Sequence, residues 1–82
     1  MKIKLLYFAS IKEALNCGDE NFDGEAATVA DLITLLSERD VHWRNTLEQD
    51  SILIAVNQTI SDTSTKLKDG DEVAFFPPVT GG

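Results

Sequence analysis

Gly81-Gly82 close the chain behind Phe75-Phe76-Pro77-Pro78-Val79-Thr80. Two glycines here would set an α-carboxylate at the end of a strip of backbone without side chains. Glycine has no Cβ, so an enclosing wall can approach it closely and unusual φ values are open to it. A carboxylate carried this way can thread a narrow active site where any larger residue would jam. Gly82 is therefore the expected reacting residue and Gly81 the slim neighbour that threading requires. The remainder of the chain reads as the handle.

Other residue types that could do chemistry lack partners in sequence. His42 is the sole histidine and Cys17 the sole cysteine. With no Ser or Cys near it, His42 reads as a surface or helix-start residue rather than a catalytic base. Cys17 has no adjacent basic residue to lower its pKa, so it reads as a small turn or packing residue rather than a redox thiol. Asp69, Asp71 and Glu72 form an acidic turn whose spacing fails the calcium-loop pattern. No phosphate loop, zinc motif or nucleophile elbow is present, and we expect no metal site and no bound cofactor. On its own the chain offers nothing as a catalyst.

Bulk properties narrow the partners. Eighty-two residues make one domain, and the 43% hydrophobic fraction is too high for disorder. Fourteen acidic against seven basic residues give a net charge of −7. That balance argues against nucleic-acid phosphate as a ligand, because no basic surface would replace its counterions. It favours a partner with a basic docking surface. One cysteine permits no internal disulfide and fits a reducing compartment. No signal peptide or apolar run of membrane-spanning length is evident, so a cytoplasmic protein without membrane contact is expected.

The elements needed to position the tail follow from periodicity. Ile3, Leu5 and Tyr7 alternate with Lys4, Leu6 and Phe8 as a first strand. Ser10-Ile11-Lys12-Glu13 has the form of a capping box opening a short helix from Ile11 to about Asn16. An edge strand is expected at 20–22 or 26–28. Thr28 can cap the main helix, with a stripe of Val29, Leu32, Ile33, Leu35 and Leu36 ending near Arg39 or Asp40. A shorter helix from His42 to about Gln49 would carry Trp43 and Leu47. Residues 52–56 read as a buried strand, Asn57-Gln58 as its turn and Thr59-Ile60 as a short return. Asp69-Gly70-Asp71 leads into a last strand, Glu72 to Phe76, which Pro77-Pro78 stops.

This order implies an α+β fold with one main helix across one face of a mixed sheet, similar to the ubiquitin-like β-grasp. Its expected organisation is a β-grasp domain over 1–76 and an extended, flexible Gly-Gly tail over 77–82. Fully extended, the tail reaches about 20 Å. In the last strand Val73 and Phe75 point one way, Ala74 and Phe76 the other. With Ile3, Leu5 and Tyr7 under the helix, Leu6, Phe8, Phe76 and Ile60 fall on the uncovered side and form an apolar patch near the tail. Patches of this kind mark partner sites. If the two faces were reversed, these residues would be core.

Residues 69–82 closely resemble the C-terminus of the small, sulfur-carrying subunit of molybdopterin synthase. Ala55-Val56-Asn57-Gln58 is similar to that family's inner strand and turn, and Ile3 to Ala9 to its first strand. The resemblance covers the whole chain in length and element order and is weakest from Asn16 to Gln49. It implies that an adenylating enzyme uses ATP to activate Gly82, which then receives sulfur as a thiocarboxylate. It further implies delivery to cyclic pyranopterin monophosphate in a large catalytic subunit, within an assembly of two large and two small subunits. By the same resemblance Gly82 is the loading site, and Gly81, Thr80, Val79, Pro78 and Pro77 form the threading tail. Phe8, Ile60 and Phe76 then match the family's docking face, shared by both partners, and alternation adds Leu6 to it. The alternatives are a carrier for another pathway, of the thiamine type, or a ubiquitin-like modifier joined to lysine amines.

Overall fold

The computed structural model describes residues 1–49 and 51–78. Its elements are β1 (Lys2–Tyr7), α1 (Ala9–Leu15), β2 (Asp19–Asp23), α2 (Val29–Ser37), α3 (Val41–Leu47), β3 (Leu53–Val56), β4 (Thr59–Ser61) and β5 (Glu72–Phe76). The strands form a five-stranded sheet in the order β2-β1-β5-β3-β4. Here β1 and β5 run parallel, while the β1–β2, β3–β4 and β3–β5 pairs are antiparallel. First and last strands are thus neighbours in the middle of a mixed sheet, as the β-grasp requires.

The packed core lies on one side of the sheet. Ile3, Leu5 and Tyr7 from β1, Val73 and Phe75 from β5, and Ile54 and Val56 from β3 pack with Ile11, Leu15, Val29, Leu32, Leu36 and Leu47 in one core. Each large apolar side chain fully removed from water there contributes roughly 1.5–3 kcal/mol. Tyr7 is the centre of an aromatic cluster, stacked on Phe75 at 5.7 Å and edge-on to Trp43 at 5.6 Å. The alternation in β1 therefore assigns the faces as expected, and the reversed arrangement is excluded.

Several local expectations shift. Helix α1 starts at Ala9, with Phe8 as its uncapped N-cap, so Ser10 lies inside the first turn and no capping box forms. The cause is the strand: the Phe8 N–H is still given to the Phe75 carbonyl, while the Phe8 carbonyl already accepts from Ile11 and Lys12. With no linker residue, Ala9 takes a φ of 51°, a left-handed value that L residues avoid. Asn16 ends the helix at φ 52°, where asparagine is among the better-tolerated residues.

The edge strand lies at Asp19–Asp23, and Thr28 makes only an isolated bridge to Lys66. Thr28 does cap α2, accepting from the Asp31 N–H at 3.2 Å. That helix ends at Ser37, earlier than Arg39, because Asp40 is taken as the N-cap of α3 by accepting from the Trp43 N–H. Leu35, placed on the apolar stripe by its type, sits on the flank of the helix and is exposed.

Candidate functional site

The uncovered side of the sheet carries one row of side chains across four strands. Leu6 on β1 is opposite Ala74 on β5, Ala74 opposite Ala55 on β3, and Ala55 opposite Ile60 on β4. The two alanines are small and buried, so the row is low in the middle and high at both ends. A hollow of about 330 Å³ results, with Phe8, Phe76, Gln58 and Glu72 completing its wall. Phe8 and Phe76 stack face to face, centroids 4.7 Å apart and planes 3° from parallel. Ile60 is 70% exposed and Phe8 41%, values that leave both free to enter a partner.

Sequence alternation thus brings all four expected docking residues together. It puts Ala74 on the Phe76 side but gives no face to Ala55 and no floor to the two together, whose signal is only their in-register position between larger neighbours. Two long-range devices keep the surface in shape. Asn57 and Gln58 both have positive φ, at 51° and 69°, which closes the β3–β4 hairpin in the turn geometry that suits its twist. The Asn57 amide then donates to Asp71 at 3.0 Å and accepts from the Glu72 N–H at 3.0 Å, tying that hairpin to the start of β5. Burial alone would raise the Asp71 carboxyl, but the hydrogen bonds from Asn57 and the Lys68 N–H outweigh it and hold it below its usual range.

The second device is on the covered side. The Glu20 carboxylate accepts from the Tyr7 hydroxyl at 2.9 Å and from both arms of the Arg39 guanidinium at 2.8 and 2.9 Å. Arg39 in turn lies over the Trp43 ring at 4.4 Å. Arg39, above all, holds Glu20 below the usual carboxylate range, while burial, with Glu20 beside it, pushes the Tyr7 hydroxyl well up. This joins edge strand β2 to the corner between α2 and α3 and has no access to the hollow.

The remaining candidates are placed away from it. Cys17 is half-buried and donates to the Asp19 carbonyl at 3.4 Å. Burial first, then the Glu20 charge, raises its thiol pKa, the opposite of a reactive thiolate. His42 meets the Ala14 carbonyl through Nε2 and joins α3 to α1. Among the described residues no group of three His, Cys, Asp or Glu side chains could hold a metal ion. No described helix is long and apolar enough to cross a membrane.

β5 ends at Phe76, and Pro77 and Pro78 leave the sheet beside the stacked phenylalanines. Val79, Thr80, Gly81 and Gly82 lie outside the described residues, so the expected threading and loading positions have no geometry here. What the fold and surface define is a small β-grasp domain with an apolar hollow on its bare sheet face, next to the root of its C-terminal segment.

Known proteins share this pattern. Residues 5–82 match the ThiS family. The molybdopterin synthase sulfur carrier subunit of Escherichia coli is 41% identical over 80 residues, covering 98% of this chain and 99% of that protein. In structure, the chain is similar to the complex of subunits 1 and 2 of the molybdopterin-converting factor from Helicobacter pylori. There the TM-score is 0.67 and identity 31%, with 100% of both chains covered. It is also similar to the small archaeal modifier protein 1 of Methanosarcina acetivorans, at TM-score 0.79 and 26% identity, covering 99% and 96% of the two chains. The chain belongs to the ThiS family, alongside the molybdopterin synthase sulfur carrier subunits.

Proposed function

We propose that this protein is the sulfur-carrier subunit of a molybdopterin synthase and acts in the cytoplasm. The observation that carries the reading is the four-strand hollow with Phe8 and Phe76 at its rim, set directly before Pro77-Pro78 and the terminal glycines. The full-length similarity to sulfur carrier subunits supports it, as does the likeness to the complex of subunits 1 and 2 of a molybdopterin-converting factor.

The chemistry follows from the poor reactivity of a carboxylate. An activating enzyme joins the Gly82 carboxylate to the AMP moiety of ATP and releases pyrophosphate, making an acyl-adenylate with a good leaving group. A persulfide sulfur attacks the acyl carbon and AMP departs. A thiol then cleaves the S–S bond, leaving the thiocarboxylate on Gly82 and a disulfide on the donor side. The loaded tail enters the large subunit, where its sulfur bonds to a carbon of cyclic pyranopterin monophosphate; water then attacks the acyl carbon, the acyl C–S bond breaks, and Gly82 returns to a carboxylate. Two deliveries build the dithiolene, in an assembly of two large and two small subunits whose large subunits supply the acids and bases. Pro77 and Pro78 restrict the chain and lower the entropy lost when Val79 to Gly82 are threaded. Activating enzyme and large subunit use the same hollow, so their binding is mutually exclusive.

Reconstitution with the large subunit, activating enzyme, ATP and a persulfide donor tests this reading. Dithiolene product is expected from the intact chain and none from a variant lacking Gly82, with unchanged folding. Product formation without Gly82 would overturn it. The likeness to an archaeal modifier protein favours a second reading, in which Gly82 is joined to lysine amines; covalent adducts on cellular proteins would mark that role.

A further inference from the structure

The root of the tail forms one wall of a cleft beside the helices. β3 and β5 pair as far as Leu53 with Phe76, and one further step would set Ile52 against Pro77. Proline has no N–H to extend the ladder, and the Ile52 N–H is given instead to the Gln49 carbonyl at 3.3 Å. The sheet therefore ends there, and the two residues can meet only through side chains. Pro77 is half-buried, and with Pro78 it lines a cleft of about 190 Å³ between α1 and α3. The α1 wall is Ser10, Ile11 and Ala14; the other is Thr46, Gln49 and Ile52. Ile11 and Thr46 are buried, so the floor is part of the packed core and does not yield. Gln49 donates its amide to the Thr46 carbonyl at 3.0 Å, which holds it along the rim. The His42 contact to the Ala14 carbonyl keeps the two helices together.

We propose that this α1–α3 cleft is a seat that sets the direction in which the tail leaves the domain, with Ala14 and Ile52 as its positioning residues. The inference rests on the sulfur-carrier reading and deepens it. The hollow on the bare sheet face determines how tightly a partner is held. The seat, on the helical side, determines where the end of the chain arrives once the partner is held. Binding and delivery are thereby assigned to different residues on opposite faces of the sheet.

The test uses the full-length thiocarboxylated protein and the large subunit. Ala14→Phe sets a ring into the cleft against the prolines and shifts them off the α1 wall. Affinity for the large subunit is expected to stay within about twofold, because Ala14 lines the cleft and not the hollow. Single-turnover sulfur transfer at saturating large subunit is expected to fall about tenfold or more, because misplacing a reacting group is costly. Ala14→Ser should restore the rate. Should Ala14→Phe fail to fold, Ile52→Ala, which removes the opposite wall, serves, with the same split expected. In the free protein, NMR should show contacts between the Pro77 ring protons and the methyls of Ala14 and Ile52. An unchanged rate, a rate loss matched by an equal loss of affinity, or absent contacts would each overturn the seat. If the wild-type chain takes up no sulfur, the functional reading fails instead, and the NMR contacts alone decide the seat.

Discussion

The two faces of the sheet use the same alternating strands to opposite ends. On the covered face, β1, β3 and β5 present Ile3, Leu5, Tyr7, Ile54, Val56, Val73 and Phe75, all buried under the helices. On the bare face, the same strands present Leu6, Ala55, Ala74 and Phe76, with Phe8 and Ile60 beyond them. The covered face is filled with large residues because every void there weakens packing. The bare face keeps alanines at its centre, and the resulting hollow can accept a side chain from outside. The chain leaves this surface incomplete, which supports the proposed docking of a partner there.

Substitutions at adjacent residues of β5 separate the two faces most sharply. Phe75→Ala should cost about 3–5 kcal/mol of stability in urea unfolding, because a fully buried aromatic leaves a cavity in the core. Phe76→Ala should weaken binding to the large subunit by roughly 1–4 kcal/mol in calorimetry. Its effect on folding should be much smaller than that of Phe75→Ala. Equal effects on folding at the two positions would erase the distinction. Further out on the same surface, Ile60→Ser should lower partner affinity by about 1 kcal/mol or somewhat more and leave the urea midpoint unchanged.

The smallest effect is expected on the covered side, at Glu20. Its carboxyl is held below its ordinary value by Arg39, so the ion pair stabilises the fold above the unfolded-state pKa. That contribution is lost as pH falls through the depressed folded value. Glu20→Gln should therefore flatten the acid limb of a stability–pH profile and cost about 1 kcal/mol or less at neutral pH. Unchanged pH dependence would show that the Arg39 fork does not hold in solution.

The parts legible in the sequence are those governed by neighbours close along the chain. β5 was readable from Glu72 to Phe76 because alternation and Pro77-Pro78 act locally, and Asn57-Gln58 because a turn needs few residues. That Leu6, Phe76 and Ile60 share the bare face followed from the same alternation. Alternation puts Ala74 beside Phe76, but the floor that Ala55 and Ala74 form together is not legible because small side chains carry little apolar signal, although here their smallness makes the hollow. The start of α1 was misplaced because Ser10 and Glu13 match a capping box, while a tertiary bond from Phe8 to Phe75 decides where the helix begins. Asn57 with Asp71, and Tyr7 with Glu20 and Arg39, were invisible for a different reason. Their partners lie 13 to 19 residues apart and meet only in the folded sheet.

The central claim is that sulfur is carried on the Gly82 carbonyl and on no other group of this chain. Intact-mass spectrometry with fragmentation, after incubation with activating enzyme, ATP and a persulfide donor, tests it directly. The expected product has one oxygen replaced by one sulfur, localised to Gly82. Sulfur added to Cys17 without loss of oxygen, or an unaltered C-terminal fragment in a protein competent for dithiolene synthesis, would contradict the account.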